Sequence, residues 1–86
     1  MPIETTEQFE LKFEKLPTTI QRKLDRAIWL LNNNFRHPGL HSHPVKSHPG
    51  IYEAYVDDKY RMTFERRGDL FIMRNVDNHD ECLKNP

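Results

Sequence analysis

The chain has 86 residues, with 13 basic and 13 acidic side chains balancing to zero, and one cysteine. That length suits a single domain over residues 1–86 with a thin core, and the even charge lacks the basic excess that usually marks a nucleic-acid binder. One cysteine excludes an internal disulfide framework and suits a reducing cytoplasm; no apolar run approaches the roughly 18 residues of a membrane span, and Met1-Pro2-Ile3-Glu4 lacks a signal-peptide pattern.

Residues 3–5 read as a short first strand. Thr6 follows as a helix N-cap, with Glu7 and Glu10 in the first turn and Phe9, Phe13 and Leu16 on one stripe. Pro17 ends this helix. Thr18 or Thr19 is expected to cap a second, whose apolar face is Ile20, Leu24, Ala27, Ile28 and Leu31 and which stops at Asn32-Asn33-Asn34. The corner Leu16-Pro17-Thr18 makes the pair a helical hairpin. Trp29 lies off the stripe and is expected to pack on the first helix or on the strands.

Residues 36–50 hold three of the six prolines, two of the three glycines and four of the five histidines, which reads as a long loop. A meander follows: Ile51–Val56, the turn Asp57-Asp58, Lys59–Glu65, the turn Arg67-Gly68-Asp69, and Leu70–Val76. Alternation puts Tyr52, Ala54 and Val56 on one face with Tyr60, Met62 and Phe64, packed on the helices. The other face carries Glu53, Tyr55, Arg61, Thr63 and Glu65 and is expected to stay open. The third strand is apolar on both faces until Arg74 and Asn75, which suits an interior strand with the amino-terminal strand on its far side. The expectation is a two-layer α+β domain, a helical hairpin on a small antiparallel sheet in the order β-α-α-β-β-β.

Chemistry concentrates in the last third. Arg61 and Arg74 sit inside apolar strand-like runs, and guanidinium groups there can hold a phosphate and stabilise charge built up in phosphoryl transfer. The structural alternative pairs Arg61 with Glu53 or Glu65 across strands, and Arg74 with an aspartate of the tail. His79 is the acid–base candidate, since an unperturbed imidazole titrates near pH ~6.5. Glu53 is a possible general base, or a salt-bridge partner. Cys82 is a nucleophile only on paper. His37, His41, His43 and His48 raise zinc binding, but no cysteine joins them and proline breaks the spacing, so no metal site is assigned. His79-Asp80 also echoes metal-dependent phosphohydrolases, whose all-helical scaffold this chain cannot build.

In order and spacing, Lys15-Leu16-Pro17, Ile20-Gln21, the His-Pro-Gly loop, Gly50-Ile51-Tyr52-Glu53, Lys59-Tyr60-Arg61-Met62, Met73-Arg74-Asn75-Val76 and His79-Asp80 resemble the RelE/ParE superfamily of bacterial toxins over nearly the whole chain. The resemblance implies the toxin of a type II toxin–antitoxin pair, neutralised by a small antitoxin. It implies a metal-independent endoribonuclease cutting mRNA on the ribosome and needing no cofactor, because the substrate's own 2′-hydroxyl is the nucleophile. It assigns Arg61 to the scissile phosphate, Arg74 to the transition state, His79 as general acid and Glu53 as base, with Lys46 and Tyr55 binding substrate. Two departures stand out: the neutral charge, and Asp80-Glu81-Cys82-Leu83 where an aromatic residue often follows the histidine. They keep two alternatives open, a gyrase inhibitor of the ParE kind and an inactive antitoxin-binding module.

Overall fold

The computed structural model describes residues 3–86, so Met1 and Pro2 of the signal-peptide reading lie outside the described residues. The elements are β1 (Ile3–Thr5), α1 (Glu7–Lys15), α2 (Thr18–Asn33), a 3-10 turn (Pro38–Leu40), β2 (His43–Pro44), β3 (Ile51–Tyr55), β4 (Tyr60–Arg67), β5 (Leu70–Asn78) and α3 (His79–Lys84). They form one sheet in the order β1-β5-β4-β3-β2.

The sheet is mixed, which corrects the expected antiparallel one: β1 runs parallel to β5, and the other pairs are antiparallel. Direction is dictated by a tight turn only where two strands share a hairpin. Nearly the whole chain separates β1 from β5, so no local signal sets their sense. The fold also has β2 and α3, which the β-α-α-β-β-β order lacked.

Thr6 caps α1 as its sequence suggests, its Oγ1 accepting from the Phe9 N–H at 3.2 Å. α2 begins differently. Its N-cap is Pro17, which offers no side-chain acceptor, so neither threonine caps it. The Pro17 carbonyl instead takes the N–H groups of Ile20 and Gln21 at 2.9 and 3.0 Å. Ile20, Leu24, Ala27 and Leu31 are buried as their spacing requires. Trp29 is not: it is 62% exposed. It stands two residues from both Ala27 and Leu31, about 200° around the helix, and therefore faces away from the sheet.

The core joins Phe9, Leu24, Ala27, Leu31 and Leu40 to Ala54, Met62, Phe64, Phe71, Met73 and Val76. Phe35 finishes it, stacked on Phe71 at 5.7 Å and edge-on to Phe64 at 6.0 Å. No helix among the described residues is long and apolar enough to cross a membrane.

Two features place the candidate site. The first is a β-bulge: Phe64 pairs with Met73 and Thr63 with Asn75, so Arg74 is the extra residue on β5. Met73 and Val76 both enter the core although three residues apart, and Asn75 turns to the opposite face. The second is α3, capped by the Asn78 side chain, which accepts from the Glu81 N–H at 3.0 Å. Its buried Cys82 packs over Thr63, and α3 contacts β4 and β5. The sheet face expected to be open is therefore covered here by the chain's own last helix.

Candidate active site

Across four strands of that face, the register aligns one row of polar residues. His43 on β2 lies opposite Glu53 on β3, Glu53 opposite Thr63 on β4, and Thr63 opposite Asn75 on β5. Glu53, Thr63 and Asn75 are 2%, 0% and 1% exposed. A buried carboxylate is costly unless partnered, so what surrounds Glu53 decides its use. Its Oε1 is 3.0 Å from His43 Nε2, and its Oε2 is 4.0 Å from His79 Nδ1. Oε2 has no hydrogen-bond partner.

The tautomer of His43 follows from its other nitrogen. Nδ1 lies 2.7 Å from the carbonyl oxygen of His41 and must donate to it. Nε2 is therefore the nitrogen turned to Glu53 Oε1. His43 and His79 are both half-exposed, so the pair links a buried carboxylate to solvent. His79 opens α3, and its backbone N–H is fixed to the Lys59 carbonyl at 2.9 Å. Beside this group is a cavity of about 420 Å³ lined by His43, Lys46, Ser47, Glu53, His79 and Leu83. Lys46 thus stands at the rim of the same cavity as Glu53 and His79.

Arg74 reaches this face through the bulge. Its Nε donates to the Pro86 carbonyl at 3.0 Å, and Nη1 lies 3.6 Å from Glu65. The expected aspartate partner in the tail is replaced by Glu65, which also pairs with Arg67.

Arg61 has a different setting. It is on the face that alternation predicts but only 7% exposed. Nη1 donates to the carbonyls of Asp57 and Tyr60 at 2.6 and 3.0 Å, and the guanidinium lies 3.5 Å over the Tyr55 ring. Tyr55 in turn meets the His41 ring at 4.5 Å. The expected salt bridge from Arg61 to Glu53 or Glu65 does not form, because the side chain turns back into the β3–β4 turn. In that turn Asp57 Oδ1 accepts from the Lys59 and Tyr60 N–H groups at 2.9 and 2.8 Å, and Oδ2 from Lys23 at 3.3 Å. Partial burial works to raise the Asp57 carboxyl, but these donors outweigh it and hold it below its ordinary value.

Cys82 sits where its thiolate is disfavoured. Burial first, and the nearby Glu53 charge second, push its thiol up to about 12. The four loop histidines go separate ways: His37 accepts from the Gly39 N–H, His41 meets Tyr55, His43 meets Glu53 and His48 meets Ser47. Among the described residues no His, Cys, Asp and Glu cluster is placed to hold a metal ion.

Reasoning from residues missed His43, Thr63 and Asn75 as parts of one site. His43 lies on a two-residue strand, too short for alternation to register. Asn75 is hidden by the bulge.

Comparison with family models and with curated proteins returns no match. Solved structures do match. YafQ from E. coli strain BL21(DE3) superposes with a TM-score of 0.79 at 20% identity, covering 92% of this chain and 93% of that one. A chain of the RelB–RelE antitoxin–toxin complex from Methanococcus jannaschii gives 0.74 at 20% identity over 91% and 92%. The YoeB/ParE toxin from Agrobacterium tumefaciens gives 0.78 at 13% over 92% and 99%. Three toxins of differing sequence thus agree on one arrangement of helices and sheet along almost their full lengths. The fold of this chain is that of the RelE/ParE-like toxins of toxin–antitoxin systems.

Proposed function

We propose that this chain is the toxin of a toxin–antitoxin pair and that it is an endoribonuclease cleaving mRNA on the ribosome. The observation that carries the reading is Glu53: a buried carboxylate set between His43 and His79, with one oxygen unpartnered. A structural salt bridge has no use for two half-exposed imidazoles on one carboxylate. A proton-transfer site does.

In this mechanism Glu53, coupled to His43, takes the proton of an RNA 2′-hydroxyl. The 2′-oxygen attacks the adjacent phosphorus and the bond from phosphorus to the 5′-oxygen breaks. His79 gives a proton to the departing 5′-oxygen, leaving a 2′,3′-cyclic phosphate and a 5′-hydroxyl. Arg74 offsets the negative charge that grows on the phosphoryl oxygens. Lys46, at the cavity rim, pairs with a neighbouring phosphate, and the substrate's sugar hydroxyl supplies the nucleophile without a cofactor. Tyr55 carries Arg61, whose bonds to Asp57 and Tyr60 make it the lock of the turn beside the site. The partners of the chain are then a cognate antitoxin, the ribosome and mRNA, all of which place it in the cytoplasm.

The test is expression of the chain alone, with primer extension on cellular mRNA. Cleavage that disappears in Glu53→Gln, His79→Gln and Arg74→Ala is expected. Toxicity that persists in all three sinks the nuclease reading, and loss of DNA supercoiling in a purified gyrase assay without mRNA cleavage replaces it with gyrase inhibition.

A further inference from the structure

Among the described residues, His41 is the one residue other than glycine with a positive φ. Its backbone sits in the left-handed region, at φ 49° and ψ 39°, where the 3-10 turn ends. The other positive φ values belong to Gly50 and Gly68, which have no Cβ to crowd the backbone. A histidine there is strained as glycine would not be, and such strain persists only where the surroundings impose it. The side chain gains little burial in return, because His41 is exposed.

The surroundings that impose it run contact by contact from the β3–β4 turn. Arg61 is anchored through Nη1 to the Asp57 and Tyr60 carbonyls at 2.6 and 3.0 Å. Its guanidinium lies 3.5 Å from the centre of the Tyr55 ring, and the His41 ring lies 4.5 Å from that of Tyr55. On the chain side, Leu40 is buried in the core and the His41 N–H donates to the Pro38 carbonyl at 3.3 Å. Ring and backbone are thus both held, and the His41 carbonyl is aimed at His43 Nδ1, 2.7 Å away. Nε2 of that imidazole faces Glu53 Oε1 at 3.0 Å. An extended backbone at position 41 would swing the following peptide by about 90° and take the carbonyl away from Nδ1.

We propose that His41 is a positioning residue for His43. Its left-handed backbone, braced by Tyr55 and Arg61, fixes the tautomer of His43 with the proton on Nδ1 and turns Nε2 to Glu53. The bond made by one imidazole nitrogen decides what the other can do. The effect on cleavage rests on the nuclease reading; the control of the tautomer does not.

The experiment exploits the backbone preference. Asparagine tolerates the left-handed region and a β-branched residue does not, so His41→Asn keeps the carbonyl in place and His41→Val withdraws it. Tyr55→Leu removes the brace, and Tyr55→Phe restores it. Long-range ¹H–¹⁵N spectra of the full chain, at about pH 8.5 where a free imidazole is neutral, read which nitrogen of His43 carries the proton. Nδ1 is expected to carry it in the parent chain, His41→Asn and Tyr55→Phe. The proton is expected to shift toward Nε2 in His41→Val and Tyr55→Leu, with mRNA cleavage on ribosomes falling about 10- to 100-fold. A bare Nδ1 in the parent chain, or a protonated Nδ1 in His41→Val, overturns the inference. An unchanged Nδ1 in Tyr55→Leu overturns the brace. A proton that moves in His41→Val while cleavage holds keeps the inference and removes His43 from the reaction. A parent chain that never cleaves mRNA removes the nuclease reading, and the nitrogen spectra still decide the inference.

Discussion

Glu53 and His43 face each other directly across β3 and β2, with Oε1 3.0 Å from Nε2. The far nitrogen of His43 is committed to the His41 carbonyl, so Nε2 is the one turned to the carboxylate.

Replacing Glu53 with Gln keeps the shape and removes the proton acceptor. The rate of mRNA cleavage on purified ribosomes should fall about 10²- to 10⁴-fold, with the far-UV spectrum unchanged. His79→Gln should fall by a similar factor, and the double variant should lose far less than the product of the two, because both act on one reaction step. Full additivity would place the two residues in separate roles.

Arg61 should behave as a structural residue first. Arg61→Ala removes the donor to two turn carbonyls and the guanidinium over Tyr55, which should cost about 2 kcal/mol. For a domain of this size that lowers Tm by roughly 10 °C in a thermal melt. An unshifted Tm with lost cleavage would assign Arg61 to the substrate instead.

Asp57 makes the same turn sensitive to acid. Its folded carboxyl lies below the ordinary 3.8, so the folded state favours the ionised form. The stabilisation is fully present above the unfolded value and lost as pH falls through the lower folded one. Asp57→Asn should therefore reduce Tm at pH 6, and the gap to the parent chain should narrow below about pH 4. A gap that stays constant down to pH 2 would show that the carboxylate charge contributes nothing.

The thiol of Cys82 should be silent in the native protein. Burial pushes it up to about 12. At pH 8, ionisation alone slows alkylation by iodoacetamide about 1000-fold, and burial slows it further. Labelling should appear only on addition of denaturant. Fast labelling of the folded chain would mean that α3 detaches from the sheet readily.

Much of this molecule is legible from residue order, because it rests on local rules. Thr6 as a cap, Pro17 as a break, the stripe of Ile20, Leu24, Ala27 and Leu31, and the strand faces of β3 and β4 all follow from helix and strand periods. So does the placing of Glu53, Arg61 and Thr63 on one side of the sheet. Trp29 departs from the expected packing because its angle around α2 sends it outward. Whether Arg74 and Asn75 meet Thr63 depends on a bulge, which displaces the alternation by one residue and has no signature in the chain itself. The parallel sense of β1, the docking of α3 over the supposedly open face, and the meeting of His43 with Glu53 are likewise long-range. They arise from which surfaces remain to be buried once the strands have paired, and only the tertiary structure decides that.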